Sequence, residues 1–155
     1  MLQRIQTIWL FFTSAALFSL FLFPTMQWIN PDGKAQVAKI SGVYESINGQ
    51  VVQITPFTLL TIACVVLALV PFVVIFFYQN RALQIKLCYA AIAGILAYSF
   101  WLAQSIKKVA AISRFNTENY GIGAILPSLA ILFIILAIRS IRKDENLIRS
   151  ADRLR

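Results

Sequence analysis

Four apolar runs dominate the chain: Ile5 to Phe23, Phe57 to Phe77, Leu87 to Ile106 and Gly121 to Ile138. Each approaches the ~20 residues with which a helix crosses ~30 Å of hydrocarbon, so the pattern predicts four transmembrane helices. The polar segments between them are too short for a separate soluble domain, and residues 1–155 are expected to form a single integral membrane domain. The fold class read from this pattern is an all-α membrane protein, a four-transmembrane-helix bundle. The first run follows Arg4 as a signal peptide would. Its apolar core is longer than the ~7 to 15 residues of a signal core, and its small residues Thr13 to Ala16 lie mid-run, so it reads as a retained anchor. Pro71 and Pro127 are expected to bend the second and fourth spans.

Between the first two spans the period changes. Lys39 to Ile47 and Gln50 to Thr55 carry β-branched and aromatic residues on either side of Asn48-Gly49, the strongest two-residue hairpin signal. Pro31-Asp32-Gly33 marks a second turn, making Gln27 to Asn30 a candidate edge strand against the segment around Gln36 to Ile40. A small β-hairpin or three-stranded sheet is expected in this outer loop, 24–56. It would serve as a lid over the helix ends or as a docking surface through a free strand edge.

Near the third and fourth spans, Val109, Ala110, Ile112 and Ser113 extend the helical spacing before Asn116 to Asn119 break it. Gly121 and Gly123 read as a flexible lead-in to the fourth span. Beyond Ile138 the chain turns charged without a helix breaker. Ile141, Leu147, Ile148, Ala151 and Leu154 share one face, and Glu145 stands four residues before Arg149, so the tail 139–155 is expected to continue as an amphipathic helix. Its six basic and three acidic residues suit an anionic membrane surface, a cover over the helix ends, or a solvated stalk.

Composition agrees with the bilayer reading: 59% of residues are hydrophobic, 13% are charged, and mean hydropathy is +0.76. The net charge of +8 is then a matter of topology before nucleic acid. With both termini cytoplasmic, nine Lys and Arg lie inside and five outside, as the positive-inside rule prefers.

Candidate chemistry is sparse. There is no His, and no Asp, Glu, Lys or Arg lies within the four runs, which argues against proton-coupled transport, an intramembrane Ser-His protease and a conventional metal site. Cys64 and Cys88 fall roughly 17 Å apart along the membrane normal, beyond the ~7 Å reach of a disulfide, and read as packing residues. Ser105-Ile-Lys-Lys108 matches S-x-x-K without the partner motifs of that enzyme class. Glu45 and Glu118 are expected to be solvated carboxylates. Small residues recur in the third run, where Ala90 and Gly94, and Ala93 and Ala97, are spaced to let another helix approach, most simply within the chain's own bundle. No cofactor, metal or catalytic residue is expected.

The two ends carry a resemblance. Met1-Leu-Gln3-Arg4-Ile5-Gln6-Thr7 and the finish Lys143-Asp144-Glu145-Asn-Leu-Ile-Arg149-Ser-Ala-Asp152-Arg153-Leu-Arg155 resemble the terminal signatures of uncharacterised bacterial four-span membrane proteins grouped as a domain of unknown function. The resemblance implies a bacterial inner-membrane location and brings no activity with it. It makes Gln3, Arg4, Gln6, Asp144, Glu145, Arg149, Asp152 and Arg153 candidate cytoplasmic interaction residues. A looser likeness to claudin-type tetraspans is architectural alone, since their paired Cys motif is absent from the first outer loop. The function expected is non-enzymatic: an accessory or scaffolding subunit binding another membrane protein, with a small passive channel or lipid-handling carrier as the alternative. The expected partners are the lipid bilayer and that protein, without nucleic acid or a small-molecule substrate. A tail helix folded back under the bundle would let Arg4 meet Asp144, Glu145 or Asp152; a straight tail would leave its apolar face for a partner.

Overall fold

The computed structural model describes residues 2–29, 33–47, 50–77, 80–110 and 119–152, with side chains between residues 5 and 147. In chain order it contains helix α1 (Leu2–Ser19), strands β1 (Met26–Ile29), β2 (Ala35–Lys39), β3 (Gly42–Ile47) and β4 (Gln50–Pro56), and helices α2 (Thr58–Phe76), α3 (Arg81–Ala110) and α4 (Leu126–Asp152), the last preceded by a 3-10 turn at Ile122–Ala124. The strands form one antiparallel sheet in the order β1-β2-β3-β4.

Helix α1 packs against α2 and α4, and α3 packs against the same two. The α2–α3 pair runs antiparallel. Gln84 reaches the Val74 carbonyl at one end, and Gly94 faces Leu67 further along. The short connection between the two helices requires that arrangement. Helices α1 and α2 meet through small residues, with the Ser14 hydroxyl donating to the Ala68 carbonyl at 2.7 Å. Helices α1 and α4 meet through aromatic rings, with Phe133 5.9 Å from Trp9 and 5.7 Å from Phe12. The buried row of α3 (Gln84, Cys88, Ala91, Ile95, Tyr98, Leu102, Ile106 and Ala110) steps by three or four residues, as one helix face must.

Outside that core the helices are apolar too. On α2 alone, Leu59, Ile62, Val66, Phe72 and Phe76 are exposed. Three helical segments, Thr58–Phe76, Arg81–Ala110 and Ile122–Leu147, are long and apolar enough to cross a membrane, which marks the chain as a membrane protein. The first predicted span is shortened. Its helix ends at Ser19, and the apolar part, Ile5–Ser19, falls below that length. Leu20, Phe21 and Leu22 close tighter turns onto Leu17, Phe18 and Ser19. Pro24, which has no amide proton and disfavours helix at the residue before it, accounts for the stop.

Two further expectations are corrected. Lys39 to Ile47 is not one strand, because Ile40 and Ser41 form a two-residue turn between β2 and β3, giving four strands instead of three. Ile40 is fully buried, its carbonyl accepts from Thr61, and the Ser41 carbonyl accepts from the Phe57 amide, so the turn is pinned to the start of α2. Gly42 follows at φ +151°, where an added Cβ would collide with the Thr55 carbonyl. Pro127 does not bend a span. It lies in the first turn of α4, where its missing amide would have had no helical partner.

Candidate functional site

The sheet covers one end of the helices. Met26 and Trp28 of β1, Ala38 of β2 and Val43 of β3 are buried and join the same core as the helical residues. The register of β2 on β3 is held by a polar cluster. Gln36 and Glu45 are cross-strand partners, Gln36 Nε2 donates to Glu45 Oε2 at 2.6 Å, and Lys34 Nζ lies 3.0 Å from Glu45 Oε1. Both carboxylate oxygens are engaged. The Gln36 hydrogen bond first, and then Lys34, hold the Glu45 carboxyl below its ordinary value of 4.5. Glu45 is therefore a buried, paired carboxylate and not the solvated one expected, whereas Glu118 lies outside the described residues.

The two edges of the sheet differ. On β1, Met26 bridges Tyr120, the Gly121 amide donates to Thr25 O at 3.0 Å, and the Gly123 amide to Pro24 O at 2.9 Å. A Cβ on Gly121 would strike the Pro24 carbonyl, so this glycine permits a close backbone approach and is more than a flexible lead-in. On the other side, β4 pairs with β3 from Gly42↔Pro56 to Ile47↔Gln50, and no described residue pairs with its outer edge. Asn48 and Gly49 lie outside the described residues, but the Ile47↔Gln50 pairing leaves two residues between the strands, as the hairpin motif requires.

Strand β4 carries no charge, and its Val51, Val52 and Ile54 are 73%, 44% and 47% exposed. Natural edge strands are usually shortened, charged or covered. Here the protections are Pro56 at the strand end and a bulge, since Val43↔Thr55 is followed by Tyr44↔Gln53 and Ile54 is the extra residue. The strand therefore offers unpaired backbone groups flanked by apolar side chains, the chemistry of strand addition.

The opposite end of the helices holds a second polar group. Asp144 on α4 is 7% exposed and lies 3.9 Å from Arg81 Nη2 at the start of α3. Gln84 is buried and donates to the Val74 carbonyl, and Gln6 of α1 is also buried. Arg142 Nη2 donates to the Tyr89 hydroxyl at 2.7 Å, and the guanidinium sits over that ring. The partner found for Asp144 is thus Arg81. The polar Gln84 within the buried row of α3 was the available signal for this layer. Glu145 is half-buried. The side chains of Gln3, Arg4, Arg149 and Asp152, and Arg153 altogether, lie outside the described residues. Helix α4 continues unbroken through Asp152, so the tail does not fold back under the helices.

The matched sequence reaches almost from end to end: residues 2–154 fit the domain of unknown function DUF4293. The chain belongs to the DUF4293 family. No curated protein matches it. On this DUF4293 chain the small residues of α3 divide. Gly94 packs on α2, where a Cβ would come within 2.8 Å of Leu67, while Ala90, Ala93 and Ala97 are exposed.

Proposed function

We propose that this protein is a four-span, non-enzymatic accessory or scaffolding subunit of the bacterial inner membrane, with both termini cytoplasmic, that binds another membrane protein through the free edge of β4. The supporting observation is the contrast between the sheet edges: β1 is closed by the chain entering α4, while β4 exposes Val51, Val52 and Ile54 beside unpaired backbone. A fourth span is supported by the packing of α1. Its Ser14 and Leu17 contact Ala68 and Cys64 of α2, well inside an apolar helix, as a helix sharing the same slab would. The nine-to-five Lys and Arg distribution supports the orientation.

The test is a photo-crosslinking residue placed at Val51 in the full-length protein in native membranes, compared with one at the exposed Lys34. A discrete adduct with another membrane protein from Val51, absent from Lys34 and lost when Val52→Lys charges the edge, supports strand docking. No adduct from Val51, or one indifferent to Val52→Lys, overturns it.

A further inference from the structure

A cavity of about 300 Å³ opens beside the sheet, between α3, the start of α4 and β1. Its walls are mainly hydrocarbon, including Leu102, Ile106 and Pro127. Three of its polar lining groups, the Gln104 amide, the Lys107 ammonium and the Ser128 hydroxyl, are on exposed residues and make no hydrogen bond or ion pair with the described residues. Among the described lining residues there is no carboxylate.

These observations define the guest by its chemistry. Lys107 closes the apolar part of α3, and Trp101 and Tyr120 are exposed nearby, the arrangement of a membrane–water border. In that setting Gln104 and Ser128 face hydrocarbon, where polar groups need partners. An apolar guest leaves them unpaired, and a free anion leaves the hydrocarbon walls bare. A molecule with an anionic head and an acyl chain satisfies both.

We propose that this cavity binds one anionic phospholipid from the leaflet on the sheet side. Its phosphate lies against Lys107, its polar backbone meets Gln104 and Ser128, and its chain lies along Leu102, Ile106 and Pro127. The site lies between α3, the start of α4 and the β1 side of the sheet and is separate from the β4 edge, so the two readings stand or fall independently.

The test uses the full-length protein extracted from vesicles of equal phosphatidylglycerol and phosphatidylethanolamine, with retained lipid identified by native mass spectrometry. The wild type is expected to keep one phosphatidylglycerol through delipidation. Lys107→Glu is expected to reduce its preference over phosphatidylethanolamine by about fivefold or more, the effect of one basic residue near an anionic lipid. Ala103→Leu and Ser128→Trp narrow the cavity and are expected to lose the retained lipid whatever its head group. Ala103 is exposed, so that variant tests the site even where the larger one fails to fold. Lys143→Glu on the tail is expected to behave as the wild type. No retained lipid, equal retention of both lipids, or retention unchanged in Lys107→Glu and Ala103→Leu would overturn the proposal. So would displacement by inorganic phosphate alone, which would make the site one for free anions.

Discussion

Arg81 and Asp144 stand 63 positions apart in the chain yet face each other at 3.9 Å across the α3–α4 contact, with their side chains 22% and 8% exposed. The separation is long for an ion pair, but the burial of Asp144 makes removal of its partner consequential. Arg81→Ala is expected to destabilise the protein by roughly 1 to 3 kcal/mol, between the values for exposed and buried pairs. Exchanging the two residues, Arg81→Asp with Asp144→Arg, is expected to recover part of the loss. Thermal unfolding in detergent, followed by circular dichroism, reads both; an additive double variant would show that the pair is not coupled.

Acid is expected to loosen the sheet before the helices. The folded-state pKa of Glu45 lies below its ordinary 4.5, so its stabilising contribution is complete above 4.5 and is lost as pH falls through the lower folded value. Protection against hydrogen exchange over residues 35–47 in the wild type, taken relative to the intrinsic rate at each pH, should fall in that acid window. Glu45→Gln should exchange faster at neutral pH and lose the acid step. A step that survives Glu45→Gln would assign it to another group.

Gly94 should resist enlargement because of Leu67. Gly94→Val introduces a Cβ within 2.8 Å of the Leu67 side chain, which must move. A destabilisation of about 1 to 3 kcal/mol is expected from overpacking, with partial rescue by Leu67→Ala. Ala93→Val, on the exposed face of the same helix, is expected to lie within about 0.5 kcal/mol of wild type, as outward positions usually do.

The orientation is tested by labelling. A cysteine at Asn48 should react with a membrane-impermeant maleimide from outside intact cells, and one at Asn146 only after the cells are opened. Cys64 and Cys88 are buried and should contribute little background. The reverse pattern would invert the topology, and reaction of both from outside would change the number of spans.

Local rules were enough for several features. Apolar length predicts four spans, of which three are helices of membrane length and the first is shorter; the Asn48-Gly49 signal predicts the β3–β4 pairing, Pro31-Asp32-Gly33 predicts that β1 pairs with β2, and the unbroken spacing after Ile138 predicts the continuation of α4. Each follows from chain stiffness, turn chemistry or hydropathy within a few residues. The sequence alone did not reveal which faces would be buried. Helix α2 is apolar all round, so periodicity does not separate its core row, Leu60, Cys64, Ala68 and Val74, from outward residues such as Ile62 and Val66. For the same reason Ala90, Ala93 and Ala97 look like packing residues in sequence but face outward. The remaining features depend on groups distant in the chain. Ile40 became a buried turn because the start of α2 accepts it, Asp144 met Arg81 because α3 and α4 pack together, and β1 lost its free edge to the chain entering α4 while no described residue pairs with the outer edge of β4. Hydropathy is a property of each residue, but burial, pairing and a free edge are properties of neighbours, and those only the tertiary structure decided.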